Sequence, residues 1–274
     1  MKRTCAHESA ACAPHPSAME IAMPENSSFR DHFSAHAADY ASSRPHYPAV
    51  LFDWLAQQCA TRSLVWDAGC GNGQAAHALA AYFEQVYASD PSAEQIAAAE
   101  RVANIRYVVE PAERCSLEDA CADLVTVAQA MHWFDVPRFQ AEARRVLKPG
   151  GVFAAWTYAQ SRVTPTVDVA FDRLHNELLE AWWPDGRQHV IASYRTLPFA
   201  FERYADVPAF AMRCDWTLPR YLAYLRSWSA CQRCLRATGI DAVALILAEL
   251  SAAWGDPQTL RAVTWPLTLH VGRT

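Results

Sequence analysis

An apolar run, Leu64-Val65-Trp66, breaks into Asp67-Ala68-Gly69-Cys70-Gly71-Asn72-Gly73-Gln74 and then into an alanine-rich helical pattern. Strand, tight turn and helix in that order open a nucleotide-binding βαβ unit, in which glycines let the backbone approach a ligand. The turn also excludes ligands. A dinucleotide fingerprint places its third glycine three residues after the second, at position 74, where this chain has Gln74. Asp67 at the strand end adds a negative charge that repels a diphosphate in a cleft of low effective dielectric. A ligand carrying an ammonium group is the better match.

The rest of the unit follows at the expected spacing. Val86-Tyr87-Ala88-Ser89-Asp90 reads as a second strand ending in an acid 23 residues beyond Asp67, close to the roughly 20-residue offset of a ribose-binding carboxylate. Ser92 starts a helix, with Gln95 as its capping-box partner. Ile105 to Val109 is a third strand by its β-branched and aromatic content, followed by a loop, Pro111-Ala112-Glu113, whose Glu113 is placed to meet a nucleobase edge. Asp123 to Ala128 gives a fourth strand running into Gln129-Ala130-Met131-His132-Trp133-Phe134, where catalytic loops leave an open parallel sheet. Asp135 caps a helix with apolar Phe139, Ala143, Val146 and Leu147, which Lys148-Pro149-Gly150-Gly151 ends. Val152 to Trp156 is the fifth strand.

These elements predict an α/β fold, a doubly wound, mostly parallel, seven-stranded Rossmann-like sheet with an inserted helical lid over the strand-end rim. Residues 1–24 read as a disordered leader, and 25–274 as one domain with acceptor-binding insertions at about 158–205 and 217–256. Within them Tyr221 to Trp228 and Asp241 to Trp254 are helical by period, the latter with Val243, Ile246, Leu247, Leu250 and Trp254 on its core face. Leu260 to Val271 is the expected last antiparallel strand.

Net charge is −5 with no basic run, so nucleic acid lacks its usual electrostatic footprint. No stretch approaches 18 uninterrupted apolar residues, so no membrane span is expected. Nine cysteines without a signal-peptide pattern read as reduced thiols of a cytoplasmic protein, Cys231 and Cys234 as packing residues, and no metal site is expected.

On the Asp67 to Gln74 turn the chain resembles class I S-adenosylmethionine (SAM)-dependent methyltransferases, SAM being a ligand with an ammonium group. Arg44-Pro45-His46-Tyr47-Pro48 after Tyr40, Asp90-Pro91-Ser92, Ala112-Glu113, Gln129 to Asp135, Tyr194 to Phe199, Tyr224 to Ser229 and Trp265-Pro266-Leu267 extend the resemblance to the trans-aconitate methyltransferase group of the methyltransferase type 11 set. The resemblance implies SAM binding by Asp67, Gly69, Gly71, Asp90, Ala112, Glu113 and Gln129, with Tyr40 and Arg44 closing over the cofactor and S-adenosylhomocysteine as product. It also implies methyl transfer to small organic acids by a monomer or homodimer without a metal. Trp133, Trp156 and Arg226 are the expected acceptor contacts, Arg226 being preferred over Arg162 and Arg195. His132 is the catalytic candidate and has two readings. For a carboxylate acceptor, already ionised at neutral pH, it orients or shapes. For a phenol acceptor, with a pKa of about 10, it serves as base or hydrogen-bond donor. A SAM-binding protein without turnover is the remaining alternative.

Overall fold

The structure, a computed structural model, describes residues 45–274. The expected leader, Tyr40 and Arg44 lie outside the described residues. Helix α1 (Ala49–Gln58) precedes β1 (Leu64–Ala68), α2 (Gln74–Leu79), β2 (Gln85–Asp90), α3 (Ala93–Ala98), β3 (Ile105–Val109), β4 (Ala122–Ala128), α4 (Val136–Val146) and β5 (Leu147–Thr157). These five strands pair in parallel in the order β3-β2-β1-β4-β5. Successive strands run outward from β1 on one side and return on the other, which opens a crevice at the carboxyl ends of β1 and β4.

The strands are apolar because helices cover both sheet faces. Val65 to Ala68 of β1 and Ala122 to Val127 of β4 are buried throughout. Alternation then sorts the side chains. Val65, Leu124, Ala154 and Trp156 pack with Phe52 on one face, while Trp66, Val125, Val127 and Phe153 pack with Phe139 of α4 on the other. Asp123 ties the amino ends together, accepting from the backbone of Ser63 (2.8 Å) and Leu64 (3.0 Å) and from Lys148 Nζ (2.7 Å).

Beyond β5 come α5 (Pro165–Arg173), a π turn (Leu174–Leu178), a 3-10 turn (Glu180–Trp182), α6 (Arg187–Ile191), β6 (Glu202–Arg203), β7 (Phe210–Trp216), α7 (Leu218–Arg226), α8 (Ser229–Thr238), a second 3-10 turn (Ala242–Ile246), α9 (Leu247–Trp254) and β8 (Arg261–Arg273). The last strand is antiparallel, as its sequence suggests. Its carboxyl half pairs β5 from Thr268↔Thr157 to Arg273↔Val152, and its amino half pairs β7 from Arg261↔Trp216 to Leu267↔Phe210.

Three local expectations are corrected. Among the described residues the sheet has eight strands, not seven, because a 13-residue β8 is long enough to serve β5, β7 and the two-residue β6. The helix expected from Asp241 to Trp254 is broken at Ile246 into a 3-10 turn and α9. The change of pitch rotates Leu247 out to 37 % exposure while Val243, Ile246, Leu250 and Trp254 stay buried. Ser92 does cap α3 through Gln95 N (3.2 Å), but its own N–H donates to Asp90 Oδ1 (2.9 Å). Asp90 therefore takes the place that a capping box gives to Gln95.

Candidate active site

The turn after β1 is built around Asp67. Its carboxylate is fully buried, with Oδ1 accepting from the Thr126 hydroxyl (2.9 Å) and Oδ2 without a hydrogen-bond partner of good geometry among the described residues. Burial pushes its pKa up to about 7, against the lowering effects of the Thr126 hydroxyl and the Ala76 backbone N–H. A buried carboxylate with one bare oxygen is costly unless something cationic or proton-bearing completes it. Gly71 supplies the neighbouring backbone. It sits at φ 56°, its N–H donates to Asp90 Oδ2 (2.9 Å), and the nearest atom to a Cβ placed there would be Gln95 Oε1 at 3.8 Å. The bare backbone thus faces open space, a cradle that a side chain would fill.

Gly69 and Gly73 are glycines for a different reason. A Cβ on Gly69 would come within 2.8 Å of both Ala130 Cβ and the Phe134 ring, and one on Gly73 would overlap the Tyr107 hydroxyl and meet its ring at 2.9 Å. Both are packing constraints. Gly73→Ala, at φ 89°, is expected to cost about 1–3 kcal/mol from the backbone alone, lowering Tm by several degrees in thermal melts. The residue that breaks the dinucleotide spacing has its own use, since Gln74 Nε2 donates to the Pro45 carbonyl (3.0 Å). That bond ties α2 to the segment carrying Tyr47, whose ring meets Trp156 edge-on at 5.5 Å.

Around the rim the expected cofactor residues gather, several with other engagements. Asp90 ends β2 with its two oxygens on the N–H groups of Gly71 and Ser92. Ala112 is buried in the loop after β3. The Glu113 carboxylate accepts from Asp135 N (2.8 Å) at the start of α4, with Oε1 as the acceptor. Gln129 adopts φ 57°, left-handed for a non-glycine residue. Its amide explains this, donating to Tyr158 O (2.9 Å) and accepting from Thr157 Oγ1 (2.8 Å) and Tyr158 N (2.9 Å). The Gln129 side chain therefore clamps the end of β5 to the end of β4, and strain held in this way is common at functional sites.

A cavity of about 100 Å³ opens on this rim, lined by Gln129, His132, Trp133, Tyr158 and Arg187, among others. His132 stands on a 3-10 turn (Met131–Trp133) with Nδ1 2.9 Å from the Tyr194 hydroxyl. Burial, then the charges of Arg187 and His189, lower its pKa to about 3. It is neutral at physiological pH. Trp133 lines the cavity at 39 % exposure, its ring 4.8 Å from His132.

Two expected acceptor contacts are corrected. Trp156 is fully buried against Tyr47 and Phe52 and does not line the cavity. Its position on an inward-facing register of β5 makes it a wall behind the site. Arg226 pairs with Asp241, Nε to Oδ2 at 2.8 Å, because the α8 hairpin returns Asp241 to the end of α7. Arg162 likewise pairs with Asp172 at 2.9 Å, and Arg195 is exposed. Among the described residues the cation lining the cavity is Arg187, which follows the turn Trp183-Pro184-Asp185-Gly186. The sequence reading, which preferred Arg226, passed over this arginine. The signal was its place just after a Pro-Asp-Gly turn, where a short helix begins. Gly186 lets that turn lie on His132, since a Cβ there would sit 3.1 Å from the His132 carbonyl.

Among the described residues no group of three or more His, Cys, Asp and Glu side chains gathers as metal ligands would. The bare Asp67 oxygen and the open backbone at Gly71 fit a ligand bearing an ammonium group, as SAM does.

Comparison with known proteins agrees with that chemistry. A methyltransferase domain family, Methyltransf_11, matches residues 66–155. A Dictyostelium discoideum protein named as a methyltransferase is 30 % identical over 86 % of this chain and 91 % of its own. A Saccharomyces cerevisiae protein named as an S-adenosylmethionine-dependent methyltransferase is 32 % identical over 76 % of this chain and 82 % of its own. The solved structure of a type II methyltransferase from Anaeromyxobacter dehalogenans is 46 % identical, covers 84 % of this chain and 97 % of that one, and superposes with a TM-score of 0.80. The chain thus belongs to the SAM-dependent methyltransferases of the Rossmann-like class.

Proposed function

We propose that this chain methylates a carboxylate oxygen of a small organic acid. The observation that carries the reading is the makeup of the rim cavity among the described residues: an arginine, aromatic walls, and a histidine whose charged form burial disfavours. A carboxylate, with a pKa near 4, needs no base at neutral pH, whereas a phenol, with a pKa of about 10, does. A general base works best with a pKa near the working pH, and burial lowers that of His132 to about 3. The resemblance of the sequence to the trans-aconitate methyltransferase group points to the same acceptor class.

When bound, SAM supplies an electrophilic methyl on a sulfonium, so that transfer leaves S-adenosylhomocysteine. On this reading Asp67 takes the ammonium group, the backbone at Gly69 and Gly71 accommodates the chain beside it, and Asp90 meets the ribose. Ala112 borders the nucleobase, and Gln129 acts by fixing the ends of β4 and β5. Arg187 would hold the acceptor carboxylate through charge-assisted hydrogen bonds. His132, Trp133 and Tyr158 would shape the space in which the nucleophilic oxygen is aligned. Alignment of this kind contributes about 7–11 kcal/mol to such reactions.

His132→Ala tests the acceptor class. For acid acceptors kcat should stay within about fivefold of the parent enzyme in a labelled-methyl assay. An inactive variant that still binds SAM normally would speak for base-assisted transfer to a hydroxyl instead.

A further inference from the structure

His175 takes no part in the site described so far, and its burial is expensive. The ring is 1 % exposed. It stacks on Phe171 (centroids 5.8 Å apart, 13°), lies 4.9 Å from Trp183 and meets the edge of Trp228 at 5.9 Å. A phenylalanine would fill such a slot without polar atoms to satisfy. The imidazole nitrogens are both engaged, however. Nδ1 lies 2.7 Å from Asn176 Oδ1, with Gln160 Nε2 at 3.5 Å, and Nε2 lies 2.6 Å from Arg187 Nη2.

A guanidinium can only donate. Nε2 must therefore carry the lone pair, and Nδ1–H donates to the Asn176 carbonyl oxygen. Burial keeps this ring neutral, with its pKa lowered to about 4. The backbone around it is the π turn, closed by Leu179 N on Leu174 O (3.1 Å), an irregularity frequent at functional sites. Arg187 is gripped from other sides too, with Nη2 on the Ala159 carbonyl (3.0 Å) and the guanidinium 4.3 Å above the Trp183 ring. It stands in the wall shared by the small rim cavity and a second one of about 460 Å³.

We propose that His175 is a positioning residue that aims Arg187 at an anionic acceptor group by accepting its Nη2–H. The proposal rests on the reading that Arg187 binds the acceptor carboxylate. An arginine stem has large rotamer freedom, and fixing the guanidinium before the acceptor arrives removes an ordering cost from binding.

Succinate, titrated against tryptophan fluorescence in the presence of S-adenosylhomocysteine, tests this on the full chain without turnover. His175→Ala should weaken succinate about tenfold and leave S-adenosylhomocysteine affinity unchanged. His175→Gln, whose side-chain oxygen can accept the same bond, should recover to within about threefold of the parent. In an Arg187→Met background, His175→Ala should add nothing. Equal losses in the Ala and Gln variants, or unchanged succinate affinity in a His175→Ala protein with native circular dichroism, would overturn the positioning role while leaving Arg187 as the anchor. Failure of succinate to saturate the parent protein, or indifference to Arg187→Met, would overturn the carboxylate reading and the positioning role with it.

Discussion

Asp67→Asn is expected to weaken SAM binding about 30-fold while raising the stability of the ligand-free protein. The two effects have one origin. The asparagine keeps the Oδ1 acceptor for Thr126 but removes a buried charge whose other oxygen has no partner of good geometry among the described residues. A hydrogen bond to a charged group contributes about 1.5–3 kcal/mol, which sets the loss in affinity. The stability gain follows from linkage. The Asp67 pKa is raised by burial from 3.8 to about 7 in the fold, so between those values the native state holds a proton that the unfolded chain has released. Stability from this group is present below about pH 4 and is lost as pH rises to about 7, and asparagine avoids that loss.

Ligand binding should show the converse. A cation at Oδ2 favours the carboxylate, so affinity should rise about tenfold per pH unit toward pH 7 and then level. It should fall again once the ligand's amino group, with an ordinary pKa of about 7.7–8.0, loses its proton. Calorimetry between pH 5.5 and 9 in buffers of different ionisation heat would show proton release at pH 6, and Asp67→Asn would abolish it.

Arg187→Met should raise the acceptor KM about 100-fold and leave SAM affinity unchanged. Truncating one member of a buried charge pair costs about 2–5 kcal/mol, and the methionine retains the apolar stem over Trp183, so the loss is electrostatic. Arg226→Met provides the contrast. Its guanidinium is engaged by Asp241, away from the cavity, and its replacement should change KM less than about twofold. Steady-state kinetics on one acid acceptor would compare the two directly.

The parallel half of the fold was legible because hydrophobic runs, glycine turns and caps agree with one another along residues 64–157. The glycine-spaced turn after Asp67 was legible for the same reason, since strand, glycines and alanine-rich helix follow one another without interruption. Beyond β5 the sequence says less. The pitch change at Ile246 leaves the apolar spacing almost intact, so a continuous helix reads equally well. The π turn that carries His175 has no residue signature, and its histidine looks like any other residue beyond β5 until Arg187 is folded onto it. Arg226 sits among aromatic residues in sequence, but 15 residues later Asp241 returns to neutralise it, a long-range pairing that local patterns do not reveal. Gln129 and Glu113 lie in the loops after β4 and β3, and their hydrogen bonds to the chain itself became visible only in three dimensions.

The most direct test is transfer of labelled methyl from SAM to a panel of small carboxylic acids and matched phenols. Label should be recovered as a base-labile ester of an acid, dependent on Arg187 and largely independent of His132. Label confined to base-stable phenyl ethers, and lost with His132, would contradict the account.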